Sequence, residues 1–504
     1  MVDNIRKNII SNLAGQLYVS AIAILATPQY LKLMGVEAYA LVSIFALIQS
    51  LFNMLDLGLS PTLARETART RGGVDGFAGF FDVLRAINIV FMFIAIVGCV
   101  FLVASSGYIS RSWLNVDRLD VSEVQFALVA MACSICMRWM SGFYRATVTG
   151  FEKFLWLSGW NSIVATLRFV AVIPVLVVFD GSFIAFFVFQ VMVAAIEVFG
   201  LIQKSRRLIR NNFGEVRSSR KSVVESLKPV FGFSSGIAFT SVVWALITQS
   251  DKLVLSKLLS LSDYGFFSVG VLLASGVVML GGPITSAAVP KMALLHASAM
   301  HLEMQVLYKR VSQYTAVAVV PATLVLYFYS GKIIELWTGN SLVSDQASEV
   351  FAFYTLGNCL MVLASLPLLL QYAEGKIRLH VIGNFIYALV YYPVLIWSVK
   401  RFGVEGACWS WLLINLISLV LWTPVIHSAL FRNGHLRWLR DDLLKIALPC
   451  CIFVYASKEL INFTGDRVLD ISILLIIYLM SLVFGAVGSS NIRKTVFDRL
   501  SENN

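Results

Sequence analysis

The chain has 504 residues, of which 58% are hydrophobic and only 14% are charged, where soluble domains carry about 25% charged residues. Mean hydropathy is +0.79, more apolar surface than a soluble fold of this size can hide, so the solvent must be lipid. The net charge of +11 is then a statement about topology rather than about nucleic acid, and no nucleic-acid partner is expected. The polar, mildly basic start, residues 3–8, carries no cleavable signal pattern, because the apolar stretch after it is too long for a signal peptide. That stretch reads as the first span.

In chain order, apolar segments of membrane-crossing length fall near 8–33, 38–64, 80–105, 121–147, 155–179 and 181–203, then near 229–259, 262–291, 311–337, 347–373, 378–399 and 404–431. Two more follow near 443–461 and 468–490, the thirteenth being the weakest, since its uncharged run is only 446–457. The expectation is an all-α integral membrane protein of about 14 transmembrane helices. Placing the N-terminus and every second loop on one side puts 27 of the 40 Lys and Arg there and 9 on the other, with 4 inside spans. Basic loops stay in the cytoplasm, so both termini are expected there. The thirteenth span is needed to bring the basic tail back.

The hydrophilic stretch 203–228 separates two sets of six spans. The expected organisation is an N-lobe over 1–210, a basic cytoplasmic linker over 211–228, a C-lobe over 229–441, and two extra helices with a tail over 442–504. A weak internal match at an offset of 225 residues pairs Ala38-Tyr39-Ala40 with Asp263-Tyr264-Gly265, and Met54-Leu55 with Met279-Leu280. Six intervening spans give the two copies one orientation, and parallel repeats of this kind place a substrate site between pseudo-symmetric lobes.

Charged residues inside spans narrow the function. Arg168 lies in the middle of 155–179 with no carboxylate one turn away, and Arg138 poses the same question in 121–147. An unpaired cation at that depth costs roughly 2.5–3.5 kcal/mol and is retained for a polar cavity, an anionic ligand or a buried partner. Glu197, in span six, is the available carboxylate. Arg138 and Arg145 are seven residues apart and share a helical face, so they form a candidate cationic ladder. Arg85 joins it unless it snorkels to the headgroups, and Arg145 unless it is an ordinary loop charge. Asp251 and Lys252, in span seven, are candidates for ion coupling and ligand binding, or form an interfacial charge pair. Asp56 either caps the bend at Gly58–Pro61 or couples to an ion. Trp244 is the most central of the tryptophans. The seven cysteines all lie in apolar segments, and Cys133-x-x-Cys136 reads as two small packing residues. The five histidines have no metal-ligand spacing, and neither a nucleotide-phosphate loop nor a nucleophile triad stands out. No metal, cofactor or catalytic residue is expected, and the chain reads as a non-enzyme.

Several stretches resemble a family. Asn8-Ile-Ile-Ser-Asn12 with Gly15, Pro28-Gln-Tyr-Leu-Lys-Leu-Met-Gly35-Val-Glu-Ala-Tyr39 and Leu55-Asp56-Leu-Gly58-Leu-Ser60-Pro61 with Arg65 look like the start of bacterial polysaccharide flippases. Ser250-Asp251-Lys252-Leu-Val-Leu-Ser256 with Tyr264-Gly265 resembles the corresponding repeat. These are the O-antigen and capsule repeat-unit translocases, in the superfamily that also holds multidrug antiporters and lipid II flippases. The resemblance covers roughly residues 1–430. It implies movement of an undecaprenyl-diphosphate-linked oligosaccharide across the bacterial inner membrane by alternating access. Coupling would be to H+ or Na+, and a polysaccharide polymerase and chain-length regulator are implied as partners. On that resemblance the diphosphate would fall to Arg85, Arg138, Arg145, Arg168 and Lys252, with Trp244 toward sugar, and ion coupling to Asp251 and Asp56. The rival reading is a cation-coupled multidrug antiporter of the same fold.

Overall fold

A computed structural model of the chain describes residues 2–71, 77–213, 222–376, 378–431 and 434–494. These residues are almost wholly helical and contain no strand beyond one isolated bridge, Asn115 to Ser260. The helices are α1 (Val2–Asn53), α2 (Leu59–Arg71), α3 (Phe77–Tyr108), α4 (Val121–Gly150), α5 (Phe154–Phe169), α6 (Val172–Val178), α7 (Phe183–Phe213), α8 (Val223–Leu258) and α9 (Leu261–Ala297). There follow α10 (His301–Phe328), α11 (Ser330–Thr338), α12 (Ser341–Ser365), α13 (Leu368–Glu374), α14 (Arg378–Ile417), α15 (Thr423–Leu430), α16 (His435–Arg437), α17 (Lys445–Leu460) and α18 (Arg467–Gly488).

Among the described residues, 10 helical stretches are long and apolar enough to cross a bilayer, and the protein is a multi-pass membrane protein. Two of them, Ala14–Asp56 and Arg378–Leu430, each cover two of the expected spans. The chain breaks at Gly35 (φ 81°) in the first and at Gly403 (φ 59°) in the second, positions that favour a residue without a Cβ. Across the second break the Ser398 and Ser410 hydroxyls lie 2.6 Å apart. Twelve residues of straight helix would separate them by about 18 Å, so Gly403 is the apex of a tight hairpin. With α8 at the seventh expected span and α17 at the thirteenth, the helices are consistent with fourteen crossings. At 16 residues α17 is the shortest of these, in keeping with the weak signal there.

Several expected spans are broken, and the breaks in the second and fifth bear on Asp56 and Arg168. In the second, 38–64, the helix stops after Met54–Asp56, and Leu57 (φ 48°) and Gly58 (φ 73°) turn left-handed before α2 begins. Asp56 caps the new helix, accepting from the Ser60 amide at 3.2 Å and the Ser60 hydroxyl at 2.7 Å. In the fifth, 155–179, Pro174 cannot donate to the carbonyl four residues back and crowds it. The helix breaks one turn earlier, at Val170–Ala171, into α5 and α6.

Packing forms two compact units, Met1–Gly265 and Phe266–Asn504. It groups α8 with the elements before it, on α1, α2 and α3, whereas the expected lobes 1–210 and 229–441 rest on the linker and the repeat. In the first unit a non-helical turn ties the ends of several helices together. The Glu37 carboxylate accepts from the backbone amides of Asp117, Arg118 and Leu119, at 2.8 Å for Asp117. The Asn115 side chain donates to the Lys257 and Leu259 carbonyls at the end of α8. In the second unit α17 and α18 pack on α10. Tyr329 bonds Ser457, and Lys332 pairs with buried Asp470 at 3.0 Å. Near the middle of α10 the Gln313 amide donates to Asp442 at 2.7 Å and accepts from the Ser489 hydroxyl at 2.6 Å. The two C-terminal helices are therefore an integral layer of this unit.

Candidate functional site

The site is built by α4 and α7. The α4 helix starts at Asp120, whose carboxylate caps the Ser122 and Glu123 amides. Two turns of helix, about 10.5 Å, separate Arg138 from Arg145 on one face. On α7 the same spacing separates Gln190 from Glu197. Arg138 NH2 donates to Gln190 Oε1 at 3.0 Å, and Arg145 NH2 to Glu197 Oε1 at 2.7 Å. Both pairs are 52 residues apart in the chain, and a constant offset means the two helices run parallel, in register. The levels differ in charge: an amide faces Arg138 and a carboxylate faces Arg145.

Arg168 enters through the break before Pro174. Loss of helical pairing there frees the carbonyls of Arg168 and Phe169, and a freed carbonyl within a membrane must find another donor. Gln190 Nε2 bonds the Arg168 carbonyl at 3.0 Å, and the Tyr30 hydroxyl bonds that of Phe169 at 2.6 Å. Gln190 thus grips Arg138 with its oxygen and the α5 break with its nitrogen. The Arg168 guanidinium donates to Gln49 Oε1 at 3.2 Å. Arg138 and Arg168 also stand over the Phe45 ring, at 5.5 and 5.6 Å. Gln49 and Gln190 fix two guanidinium groups without cancelling their charge.

Two cavities, of about 360 and 370 Å³, meet at this wall and share Arg145, Arg168 and Glu197. The first adds the polar side chains of Gln16, Ser20, Ser158 and Asn161. The second adds Gln49, Asn53, Asp56, Arg138 and Trp139. Arg138 is 7% exposed. Four buried donor atoms on this stretch of α4 have no acceptor among the described residues: Arg138 Nε and NH1, Arg145 Nε and Trp139 Nε1. Leaving a buried donor unpaired costs about 1–3 kcal/mol. A wall of such donors is suited to a ligand that brings acceptors and negative charge.

Of the expected site residues, Arg138, Arg145, Arg168 and Asp56 come together around these cavities. Arg85 is exposed on α3 and lines neither. Lys252 sits on α8 with its ammonium donating to Gln249 Oε1 at 3.2 Å, and Asp251 is 2% exposed beside it; neither lines these cavities. The Trp244 side chain lies outside the described residues. Sequence reasoning missed Gln49 and Gln190. Their signal was available, since an amide in an otherwise apolar span needs a polar partner.

Residues 5–296 match the family described as polysaccharide biosynthesis protein. A protein of Shigella flexneri named "Putative O-antigen transporter" is 20% identical over 415 residues, covering 81% of this chain and 94% of its own. Among solved structures, the lipid II flippase MurJ in an inward closed conformation superposes with a TM-score of 0.75 at 15% identity, covering 95% of this chain and 98% of its own. An inward-facing multidrug resistance transporter of the MATE family gives a TM-score of 0.62 at 14% identity, with 84% and 99% covered. The fold is that of the superfamily of multidrug, oligosaccharidyl-lipid and polysaccharide exporters. Within it, the chain belongs to the polysaccharide biosynthesis protein family.

Proposed function

We propose that this protein flips an undecaprenyl-diphosphate-linked oligosaccharide, an O-antigen or capsule repeat unit, across the bacterial inner membrane by alternating access, with both termini in the cytoplasm. The observation that carries the reading is the set of buried donors on α4, without acceptors among the described residues, beside cavities that Arg168 also lines. A diphosphate supplies both the oxygens and the charge these groups lack, and the planar fork of arginine suits it better than an ammonium. The surrounding amides and hydroxyls, with Trp139, suit the first sugars. Ion coupling, to H+ or Na+, is assigned to Asp251, with Asp56 the weaker candidate because its carboxylate already caps α2.

The rival, export of cationic drugs, needs carboxylates free to meet a cation. Asp56 is committed to Ser60 and Glu197 to Arg145, which favours the anionic substrate. The test is substitution in cells. Arg138→Ala and Arg168→Ala should each abolish most surface polysaccharide at normal protein abundance, since losing a charged contact in a desolvated site costs roughly 2–5 kcal/mol. Arg→Lys should recover part of it. Normal polysaccharide from both Ala variants at matched abundance would remove the cationic site from the proposal.

A further inference from the structure

Among the described residues Glu197 is the one carboxylate lining both cavities, and it meets Arg145 head to head at 2.7 Å. The neighbouring level of the same two helices shows that a carboxylate is not needed to position a guanidinium there, because the Gln190 amide holds Arg138 at 3.0 Å. What Glu197 adds is cancellation of charge. The pair is also lopsided. The Glu197 side chain is 8% exposed, whereas that of Arg145 is 42% exposed and its Nε has no acceptor among the described residues. An incoming anion can therefore reach Arg145 from the open side while Glu197 stays in the wall. The other charges around them are Arg168, on the shared lining, and Arg138 and Asp56, on the second cavity.

We propose that Glu197 is a built-in competitor for the anionic headgroup. With no ligand it occupies the Arg145 part of the cationic site. A diphosphate ester of a long isoprenoid displaces it on binding, and Glu197 displaces the diphosphate on release. This rests on the cationic-cavity reading above and adds a role to it: Glu197 limits affinity so that the headgroup can leave. A site made of arginines and amides alone would hold a diphosphate tightly and turn over slowly, and transport requires binding weak enough for exit.

The experiment measures binding of undecaprenyl diphosphate to the purified full chain in nanodiscs, with surface polysaccharide followed in parallel in cells. Glu197→Gln keeps the acceptor for Arg145 and removes the charge. It should tighten binding by about tenfold while lowering surface polysaccharide. The gain in affinity should vanish when Arg145→Ala is added. If Glu197→Gln does not accumulate as folded protein, Glu197→Asp, which withdraws the carboxylate by one methylene, should tighten binding by a smaller factor. Unchanged or weaker binding in the folded Glu197 variants, alongside weakened binding in Arg138→Ala and Arg168→Ala, would overturn the competitor role and leave the cationic site standing. Unchanged binding in every arginine variant would overturn the cationic site itself, and the competitor with it.

Discussion

Replacing Arg138 by methionine separates a binding role from a structural one. Arg138 is buried, and two of its nitrogens, Nε and NH1, have no acceptor among the described residues. At about 1–3 kcal/mol for each orphaned donor, the wild-type chain carries a burden of roughly 2–6 kcal/mol at this residue. Methionine fills much of the same volume and abolishes both orphans. Against this, the substitution deletes the bond to Gln190 and leaves Gln190 Oε1 without its donor, a loss of about 1–3 kcal/mol. Gln190 Nε2 keeps its 3.0 Å bond to the Arg168 carbonyl, so the α5 break should survive. The net expectation is stability unchanged or raised by about 1–3 kcal/mol, as when buried charges are replaced by well-packed apolar residues. Thermal unfolding of the purified protein in one detergent, paired with surface polysaccharide in cells, reads both quantities. Arg138→Met should melt at or a few degrees above wild type and yet fail to export polysaccharide. A melting temperature well below wild type would make Arg138 a structural strut. Normal export from the stable variant would refute the binding role.

Burial pushes the Asp442 carboxyl up to about 6 from 3.8, with Gln313 partly offsetting the shift. The folded state therefore holds a proton that the unfolded chain has released between those values. The associated stability is fully present below about 4, declines as pH rises, and is lost through about 6. It amounts to roughly 3 kcal/mol. Asp442→Asn should flatten this decline, so wild type and variant should diverge in unfolding temperature between pH 4.5 and 7; parallel curves would count against it. Asp251→Asn should alter how transport responds to an imposed H+ or Na+ gradient without abolishing headgroup binding, and an unaltered gradient response would remove Asp251 from coupling. Reporter fusions after Asn211 and Asn504 should both give cytoplasmic signals, and a periplasmic signal at Asn504 alone would take α17 out of the membrane.

The membrane class and the run of apolar helices were legible in the sequence because a bilayer imposes one simple demand, about twenty apolar residues per crossing. Breaks within spans were less visible. Pro174 acts a full turn before its own position, whereas the turns at Gly35 and Gly403 fall in the gaps expected between spans. Arg138, Arg145 and Arg168 stood out by their cost in lipid. Glu197 stood out with them as the available carboxylate, but the amide partners Gln49 and Gln190 did not, and which arginine each partner meets needs tertiary register: that α4 and α7 run parallel at an offset of 52 residues follows from packing. The matching seven-residue spacings, 138 to 145 and 190 to 197, were nonetheless in the sequence. Gln49 joins Arg168 from 119 residues away, and no local pattern announces that contact.

Transport itself is tested most directly in proteoliposomes. The purified chain would be reconstituted with undecaprenyl-diphosphate-linked oligosaccharide in one leaflet, and the appearance of sugar in the other would be followed by its accessibility to a lectin. Protein-dependent appearance of the oligosaccharide, sharply reduced by Arg138→Ala or Arg168→Ala, is the expected result. Absence of any protein-dependent translocation, together with ion-driven movement of a cationic dye by the same vesicles, would contradict the flippase and favour the antiporter.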